Sequence, residues 1–430
     1  MPPESKTFNP DSTDNLLAEA SHCVKCGRCL SVCPVFRETG RETEAARGKL
    51  SLIESASAEE IKTSSKKLKE IVLFCLLCGA CAEKCPNLVP GDAIIQKARE
   101  TFNSKDNLSL PFKLTLSHIL PFPARMNGVH KAGIIFHPLL LKKVPSESGL
   151  NWRFPFPHDK KHRLIPELTD EPFLKKYSFK KPPSNPSAAL FVGCVSNYLY
   201  PAIAEAVLDI FKHLKISVFI PPEQACCGLV AFGTGITGID RKLAQKNIAA
   251  FESTDPIPIV AFCSSCSSHL KNYSELFEEK EWRKRALKFS QRVKDFSEFL
   301  FDAGFQNQSD LKPVDSSRRL TFHDPCHLRR KQGIFDQPRQ LLKSVKGVKF
   351  VETGEENLCC GSGGSFNLSH YDISLKIFKR RLRSIEKADV DTVVTSCMGC
   401  LLQFLDGLYQ ENKAIRVKHL AEILGETFPR

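Results

Sequence analysis

Apolar and polar positions follow a helical pattern over residues 14–102. The stretches Glu42–Leu50 and Ser65–Phe74 combine helix-forming residues with spaced apolar ones. The motif Pro90-Gly91-Asp92 provides a start signal for a helix over Ala93–Phe102. Little strand character is present elsewhere in this region. We therefore predict an all-α domain over residues 14–102.

Residues 103–186 have a different character, because proline recurs and cysteine is absent. Short apolar stretches, Leu114–Phe122 and Ala132–Leu141, lie between basic residues. Two interpretations remain open: an ordered connector that wraps over its neighbours, or a docking surface for a partner or a membrane. The connector is favoured.

From residue 187 onward, short β-like stretches alternate with helical ones, which is typical of α/β layers. The predicted strands are Ala188–Val192, Ser217–Ile220, Ile257–Phe262, Leu320–Phe322, Val348–Val351 and Thr392–Thr395. The cysteines of residues 187–305 recur in residues 318–430 at offsets of 132, 133 and 134 residues, and Val293–Leu300 resembles Val417–Leu424. We predict an α+β multidomain protein whose C-terminal part is a tandem duplication of one α/β module with a parallel sheet.

The composition excludes several classes of protein. The formal charge of +13 arises from scattered basic clusters without interleaved aromatic residues, so we expect no nucleic-acid binding. No export signal is visible in Met1–Asn15, so the 18 cysteines are expected to be metal ligands or redox thiols rather than disulfides. No apolar run approaches the roughly 18 residues that a membrane span needs. We expect a soluble, cytoplasmic protein, and leave open a peripheral contact with the inner face of the membrane.

Two runs of cysteine interrupt the predicted helical domain. They are Cys23, Cys26, Cys29 and Cys33, and Cys75, Cys78, Cys81 and Cys85, each displaced by 52 residues from its counterpart and each run followed by a proline. Three cysteines with two residues between them can bind three corners of one iron–sulfur cube, and the fourth faces the other cube. A zinc site would use two separated Cys-x-x-Cys pairs, so this spacing favours two clusters.

Ten further cysteines form two matched sets of five in the C-terminal modules. They are Cys194, Cys226, Cys227, Cys263 and Cys266 in the first module, and Cys326, Cys359, Cys360, Cys397 and Cys400 in the second. Because parallel strands end at one sheet edge, we expect each set to converge there. Five thiols exceed the needs of one tetrahedral zinc, and neighbouring glycines such as Gly228 and Gly361 leave room for a bulky ligand. Buried structural cysteine is the disfavoured alternative.

Two other features carry weaker signals. The stretch from Gly233 to Gly238 matches a dinucleotide fingerprint but does not directly follow a strand, so we predict no nicotinamide or flavin site from it. His323 and His327 flank Cys326, and His269 follows Cys266. These side chains could donate hydrogen bonds to a cluster or relay protons, but ordinary histidines with satisfied hydrogen bonds are favoured.

Together these residues resemble a known family. The double run is similar to the helical ferredoxin domain of succinate dehydrogenase-type iron–sulfur subunits, and the two modules resemble the cysteine-rich "CCG" domains shared with heterodisulfide reductase. The whole order resembles the glycolate oxidase (glycolate/D-lactate dehydrogenase) iron–sulfur subunit over nearly the entire chain, except residues 103–186.

The resemblance implies an electron-transfer subunit of a flavin-dependent 2-hydroxy-acid dehydrogenase. Such a subunit takes electrons from an FAD-binding subunit and passes them to quinone or another redox protein, and we expect it to be inactive alone and to contain no catalytic residue. The resemblance also implies two [4Fe–4S] clusters, one held by Cys23, Cys26, Cys29 and Cys85 and the other by Cys75, Cys78, Cys81 and Cys33. One or two further, non-cubane clusters at the ten CCG cysteines remain open.

Two other functions are left as alternatives. The first is a thiol–disulfide reductase component like heterodisulfide reductase, in which the CCG clusters are catalytic. The second is an iron–sulfur sensor, which only the basic charge supports.

Overall fold

The computed structural model describes residues 16–102, 114–144, 149–153, 163–236, 238–314 and 318–428. Parts of the predicted connector and the junction between the two C-terminal modules lie outside these residues. None of the described helices is both long enough and apolar enough to span a membrane.

The N-terminal region, residues 16–102, is described without gaps and contains helices but no strand. Its 3-10 helices are Ala18–His22, Leu30–Val32 and Glu42–Glu44, and its α-helices are Pro34–Thr39, Ala46–Ser57, Lys66–Leu73, Ala80–Glu83 and Gly91–Phe102. The Ser65 side chain caps one helix by accepting a hydrogen bond from the Leu68 backbone N–H. Ile53 and Ile94 are fully buried in the core between the helices. The prediction of an all-α N-terminal domain is confirmed.

The described part of the connector packs on both C-terminal modules. It contains the π-helix Thr115–Ile119, the α-helices Pro123–Leu140 and Phe173–Tyr177, and the antiparallel pair β1 (Leu141–Lys143) and β2 (Leu150–Trp152). Tyr198 in the first module donates a hydrogen bond to Asn127 Oδ1 at 2.8 Å. Leu164 donates its backbone N–H to Asp406 Oδ1, in the second module, at 2.9 Å. The apolar stretch predicted at Ala132–Leu141 is largely part of an 18-residue helix.

Each C-terminal half contains a four-stranded parallel sheet. The strands are β3 (Ala188–Phe191), β4 (Val218–Phe219), β5 (Ile259–Ala261) and β6 (Val293–Asp295), followed by β7 (Arg319–Phe322), β8 (Lys349–Phe350), β9 (Thr392–Thr395) and β10 (Arg416–His419). The strand orders are β4-β3-β5-β6 and β8-β7-β9-β10. The registers also correspond, since Ala189 pairs with Ile259 and Thr321 pairs with Val393. The predicted tandem duplication is therefore confirmed.

Helices cover both sheets, as expected for parallel strands that are buried on both faces. In the first module they are Cys194–Tyr198, Pro201–His213, Leu229–Thr234, Ile239–Glu252, Ser264–Lys271, Tyr273–Leu276, Lys280–Gln291, Phe296–Asp302 and Phe305–Asn307. In the second they are Cys326–Gln332, Asp336–Ser344, Ser365–Ser369, Tyr371–Lys387, Met398–Gln410 and Leu420–Gly425. All residues of β3, β5 and β9 are buried.

The two modules share one continuous apolar core and meet near the ends of β5 and β9. Ser264 donates its backbone N–H to the Ser396 carbonyl oxygen at 2.8 Å, and the hydroxyl oxygens of the two serines are 2.7 Å apart. His419, which caps a helix of the second module, contacts the Phe262 carbonyl oxygen of the first at 2.8 Å. These contacts hold the cysteine-bearing edges of the two sheets against each other.

Two glycines of the fingerprint-like stretch, Gly233 and Gly235, contact the N-terminal region. Gly233 lies in the short helix Leu229–Thr234, and its carbonyl oxygen accepts a hydrogen bond from Arg99. Gly235 has a φ of +75°, and a Cβ at this position would lie 2.6 Å from the Arg99 carbonyl carbon. The small residue is needed here because two backbones approach closely.

Candidate metal centres

The first group of N-terminal cysteines surrounds a surface cavity. Cys23, Cys26, Cys29 and Cys85 line this cavity, together with Cys81, Lys25, Arg28 and Arg47. Cys26 is exposed, and the other three are partly buried. Cys85 therefore lies with the three leading cysteines of the first run, not only with its own run. We name Cys23, Cys26, Cys29 and Cys85 the outer set.

The second group is more deeply buried. Burial raises the pKa of Cys33 to about 12, with a further contribution from the nearby thiols of Cys75 and Cys78. The pKa of Cys81 is also raised, first by burial and then by Asp92, Cys75, Cys78 and Cys33. Cys33 is thus placed among the leading cysteines of the second run. We name Cys33, Cys75, Cys78 and Cys81 the inner set.

Two buried cations lie beside the inner set. Lys49 is fully buried, and its Nζ donates to the Glu44 carbonyl oxygen. Burial lowers the pKa of Lys49, whereas the neighbouring Cys75 and Cys33 raise it. Arg99 donates to the Cys75 carbonyl oxygen at 2.6 Å. A buried cation is stabilised by anions nearby, so these side chains fit a site at which the thiols are deprotonated.

The five cysteines of the first module form a connected chain of sulfur contacts. Cys194 Sγ lies 3.7 Å from Cys226 Sγ. Hydrogen bonds from Cys226 and Cys266 lower the pKa of Cys227 to about 6, and Cys263 is hydrogen-bonded to Cys266 in turn. The structure therefore brings together five residues that span more than seventy positions of sequence. A cavity of about 210 Å³ borders this group of cysteines at Cys194 and Cys226.

The second module brings its five cysteines together in a similar way. Cys360 Sγ and Cys400 Sγ are 3.2 Å apart. Hydrogen bonds from Cys359 and Cys400 hold the pKa of Cys360 well below its usual range. Cys397 is hydrogen-bonded to Cys400, and Cys326 adjoins Cys360 and Cys397, which help to raise its pKa after burial.

Two of the three histidines near these sites depart from the expectation of satisfied hydrogen bonds. Nδ1 of His323 and Nε2 of His269 are buried and have no hydrogen-bond partner in the described structure. His323 lies with Cys360 and Cys400, such that the three ligand atoms are all within 4.8 Å of one another. His327 Nδ1 is 3.5 Å from Cys326 Sγ. Sequence reasoning noticed these residues beside Cys326 and Cys266 but could not place their rings.

The four sets of cysteines lie in a series. Cys78 of the inner set is buried in a small apolar cluster with Phe366, and Cys326 and Cys359 pack against this cluster. The two modules also touch through their sites, since the Met398 backbone N–H donates to Cys263 Sγ at 3.4 Å and Ser265 Oγ is 3.0 Å from Cys397 Sγ. The series runs from the outer set through the inner set and the second module to the first.

The donor chemistry fits iron–sulfur clusters. All eighteen cysteines lie in the described residues, and none forms a disulfide. The inner set offers one buried thiol, Cys78, and three partly buried ones, and each module offers five neighbouring thiols. Thiolate is the ligand that iron–sulfur clusters require.

Comparison with known proteins agrees with this architecture. A family model described as a 4Fe-4S dicluster domain matches residues 19–89, and one described as a cysteine-rich domain matches residues 188–271 and 320–405. The probable glycolate oxidase iron–sulfur subunit of Bacillus subtilis is 30% identical over 419 residues, covering 95% of this chain and 94% of the relative. The chain belongs to the glycolate oxidase iron–sulfur subunit family. It is therefore an iron–sulfur protein with a redox role.

Other relatives of this chain carry different functional names. A subunit of the fumarate reductase (CoM/CoB) of Methanothermobacter marburgensis is 29% identical over 94% of this chain and 71% of the relative. Lactate utilization protein A of an Exiguobacterium species is 30% identical over 56% of this chain and 98% of the relative. A crystal structure of a hypothetical protein from Helicobacter pylori has the same fold, with a TM-score of 0.53 and 11% identity over 90% of this chain and 68% of that one.

Proposed function

We propose that this chain is the iron–sulfur electron-transfer subunit of a flavin-dependent 2-hydroxy-acid dehydrogenase that acts on glycolate or D-lactate. An FAD-binding subunit would remove the hydride, and this chain would pass the electrons to quinone or another redox protein. The observation that carries the proposal is the unbroken series of cysteine sets from the exposed Cys26 to the cavity at Cys194. The names of the glycolate oxidase and lactate utilization relatives support this substrate class.

We assign one [4Fe–4S] cluster to the outer set and one to the inner set, with further clusters in the two CCG modules. Such clusters supply one-electron transfer when bound. The chain's own residues then have separate tasks. The thiolates hold the metal, the buried Lys49 and Arg99 offset the negative charge beside the inner set, and the apolar residues around Cys78 exclude water.

The proposed division of labour has a direct test. The full chain, purified anaerobically, is expected to contain iron and sulfide but to reduce no artificial dye with glycolate or D-lactate. Addition of the FAD-binding subunit is expected to restore dye reduction. Hydride removal needs a two-electron acceptor such as flavin, so turnover by the flavin-free chain alone would contradict the proposal.

A second candidate is a thiol–disulfide reductase component whose CCG centres are catalytic. The cavity of about 210 Å³ beside Cys194 and Cys226 favours it, because a small substrate could reach the sulfur ligands there. The fumarate reductase (CoM/CoB) relative is consistent with it as well. Reduction of a small disulfide by the chain loaded with clusters but lacking its flavin partner, with electrons from an artificial one-electron donor, would favour this second function.

We also propose that helix Pro123–Leu140 lies on an anionic membrane surface. Its exposed side chains include five large apolar ones, namely Val129, Ile135, Phe136, Leu139 and Leu140. Residues 114–144 contain no Asp or Glu but include Arg125, Lys131, Lys142 and Lys143. This combination of an apolar face and basic flanks matches helices that rest in the lipid headgroup region.

Vesicle sedimentation tests this surface. The chain is expected to bind vesicles that contain phosphatidylglycerol and to bind phosphatidylcholine vesicles weakly. Phe136→Glu should reduce the binding, whereas Leu287→Glu, at an exposed apolar residue on another helix, should not. Equal binding by both variants and the unaltered chain would contradict the membrane proposal without affecting the electron-transfer one.

A further inference from the structure

The two CCG modules differ at the position where His323 lies beside the cysteines of the second module. Pairing of Ala189 with Ile259 in the first module corresponds to pairing of Thr321 with Val393 in the second. Phe191 lies two residues after Ala189, and His323 lies two residues after Thr321. Phe191 of the first module therefore corresponds to His323 of the second. Phe191 ends β3 as part of the apolar core, whereas His323 directly follows β7 and donates its backbone N–H to the Val394 carbonyl oxygen at 2.8 Å.

The surroundings of His323 leave a ring nitrogen without a protein partner. The residue is 1% exposed, and its ring packs edge-on against Phe404 with centroids 5.0 Å apart. The ring helps to lower the pKa of Cys360 through a hydrogen bond, but Nδ1 makes no hydrogen bond to any described residue. A buried imidazole nitrogen in this condition is unfavourable unless a ligand outside the protein satisfies it.

The neighbouring sulfurs complete a ligand set. The ligand atoms of His323, Cys360 and Cys400 all lie within 4.8 Å of one another, and the two sulfurs are 3.2 Å apart. In a tetrahedral thiolate site with metal–sulfur bonds of about 2.3 Å, neighbouring sulfurs are about 3.8 Å apart. The three side chains are thus close to the spacing that one metal atom needs.

We propose that His323 supplies a nitrogen ligand to an iron atom of the second module's centre, beside the thiolates of Cys360 and Cys400, whereas the first module's centre has sulfur ligands alone. This inference rests on the proposed occupancy of the CCG modules by iron–sulfur clusters. A neutral imidazole in place of an anionic thiolate raises the reduction potential of an iron–sulfur centre. Exchange of this imidazole for a thiolate is therefore expected to lower the potential of the second module's centre.

The unaltered protein provides the first test. Holoprotein labelled with ¹⁵N-histidine is compared with unlabelled holoprotein by pulsed electron paramagnetic resonance, in both the oxidised and the reduced state. A directly ligated ring nitrogen is expected to give a strong ¹⁴N hyperfine coupling that changes to ¹⁵N on labelling. The absence of any histidine coupling in both states would overturn the inference.

Variants then assign the coupling to one residue. His323→Phe imports the side chain that the first module has at this position and preserves the apolar packing against Phe404. The matched control is His269→Gln, because Gln403 is the second-module counterpart of the buried His269. The coupling is expected to disappear in the first variant and to persist in the second. Persistence in His323→Phe, or loss in His269→Gln alone, would contradict the assignment.

A third variant covers the case in which His323→Phe loses its iron or does not fold. His323→Cys supplies a thiolate in place of the imidazole, so the centre is expected to retain iron, to lose the nitrogen coupling and to titrate at a lower midpoint potential. An unchanged potential in an iron-loaded His323→Cys protein would overturn the inference. If iron is found only in the outer and inner sets, or if the second module holds zinc, both this inference and the proposed CCG clusters are overturned. If the second module holds iron with sulfur ligands alone, only this inference is overturned.

Discussion

Cys78, in the N-terminal region, and Cys326, in the second C-terminal module, are electrostatic neighbours although 248 positions separate them. The Arg330 guanidinium lowers the pKa of both thiols, against the larger effect of burial. This side chain also binds both parts of the chain. It pairs with Glu83 at 2.9 Å and donates to the Asn357 carbonyl oxygen at 2.7 Å. Lys331 also joins the two parts of the chain, through Asp92. Arg330 is therefore one of the cations that hold the inner set against the second module.

Replacement of that cation should weaken the contact. Arg330→Met is expected to reduce stability by about 1–3 kcal/mol, because buried hydrogen-bond acceptors lose their donor. Arg285→Met is the control, since Arg285 forms an exposed pair with Glu252 that is worth about 0–1 kcal/mol. Urea unfolding, followed by cluster absorbance and circular dichroism, measures both. Equal effects of the two variants would show that the Arg330 contact is not important for assembly.

The pairing of the fourth cysteines can be tested with two serine variants. Cys33→Ser is expected to alter the electron paramagnetic resonance signal of the cluster bound by Cys75, Cys78 and Cys81, because Cys33 lies among these thiols. Cys85→Ser is expected to alter the other cluster, because Cys85 shares a cavity with Cys23, Cys26 and Cys29. The opposite pattern, in which each variant damages the cluster of its own run, would mean that all four cysteines of a run bind the same cluster.

Because Gly235 packs closely on Arg99, we predict that its replacement lowers stability more than replacement of Gly238. Gly235 and Gly238 have φ values of +75° and +89°, so a side chain at either position introduces backbone strain of about 1–2 kcal/mol. Only Gly235 faces a backbone atom within 4 Å. Gly235→Ala should therefore lower the thermal midpoint more than Gly238→Ala. Similar midpoints for the two variants would argue that the N-terminal region can shift on the first module at no cost.

From the burial of His419 we predict that the protein loses stability in mild acid. His419 accepts a hydrogen bond from the Ala421 N–H at Nδ1, and burial lowers its pKa. The unfolded chain has a histidine pKa of about 6.5, so it binds more protons than the folded state below that pH. The contribution of neutral His419 to the free energy of unfolding is therefore complete above about pH 6.5. It is lost as the pH falls through the lower pKa that His419 has in the folded state.

Thermal midpoints between about pH 5.5 and about pH 8 measure this contribution. His419→Asn retains a helix-capping side chain but cannot titrate, so it should flatten the dependence on pH. The dependence should not vanish, because burial also lowers the pKa of His269, to about 3. A curve for His419→Asn that parallels the unaltered protein would exclude this role.

Local sequence patterns determined most of the architecture. Helical spacing of apolar residues in Lys66–Leu73, and the proline after Cys33, specify N-terminal helices through backbone preferences that act over a few residues. The repeat of cysteines at offsets of 132 to 134 residues revealed the duplication before any sheet was known. Strand ends were less certain, as in β4, which is shorter than the predicted Ser217–Ile220.

Only the tertiary structure decided how the cysteine sets are joined. No local pattern places Cys78 beside Cys326, or Cys263 beside Met398, because these contacts depend on how separately folded layers pack. The same holds for His323, whose sequence neighbour is Cys326 but whose ring lies with Cys360 and Cys400. Sequence spacing identifies residues able to bind a metal, whereas the directions of side chains from several strands decide which of them share one.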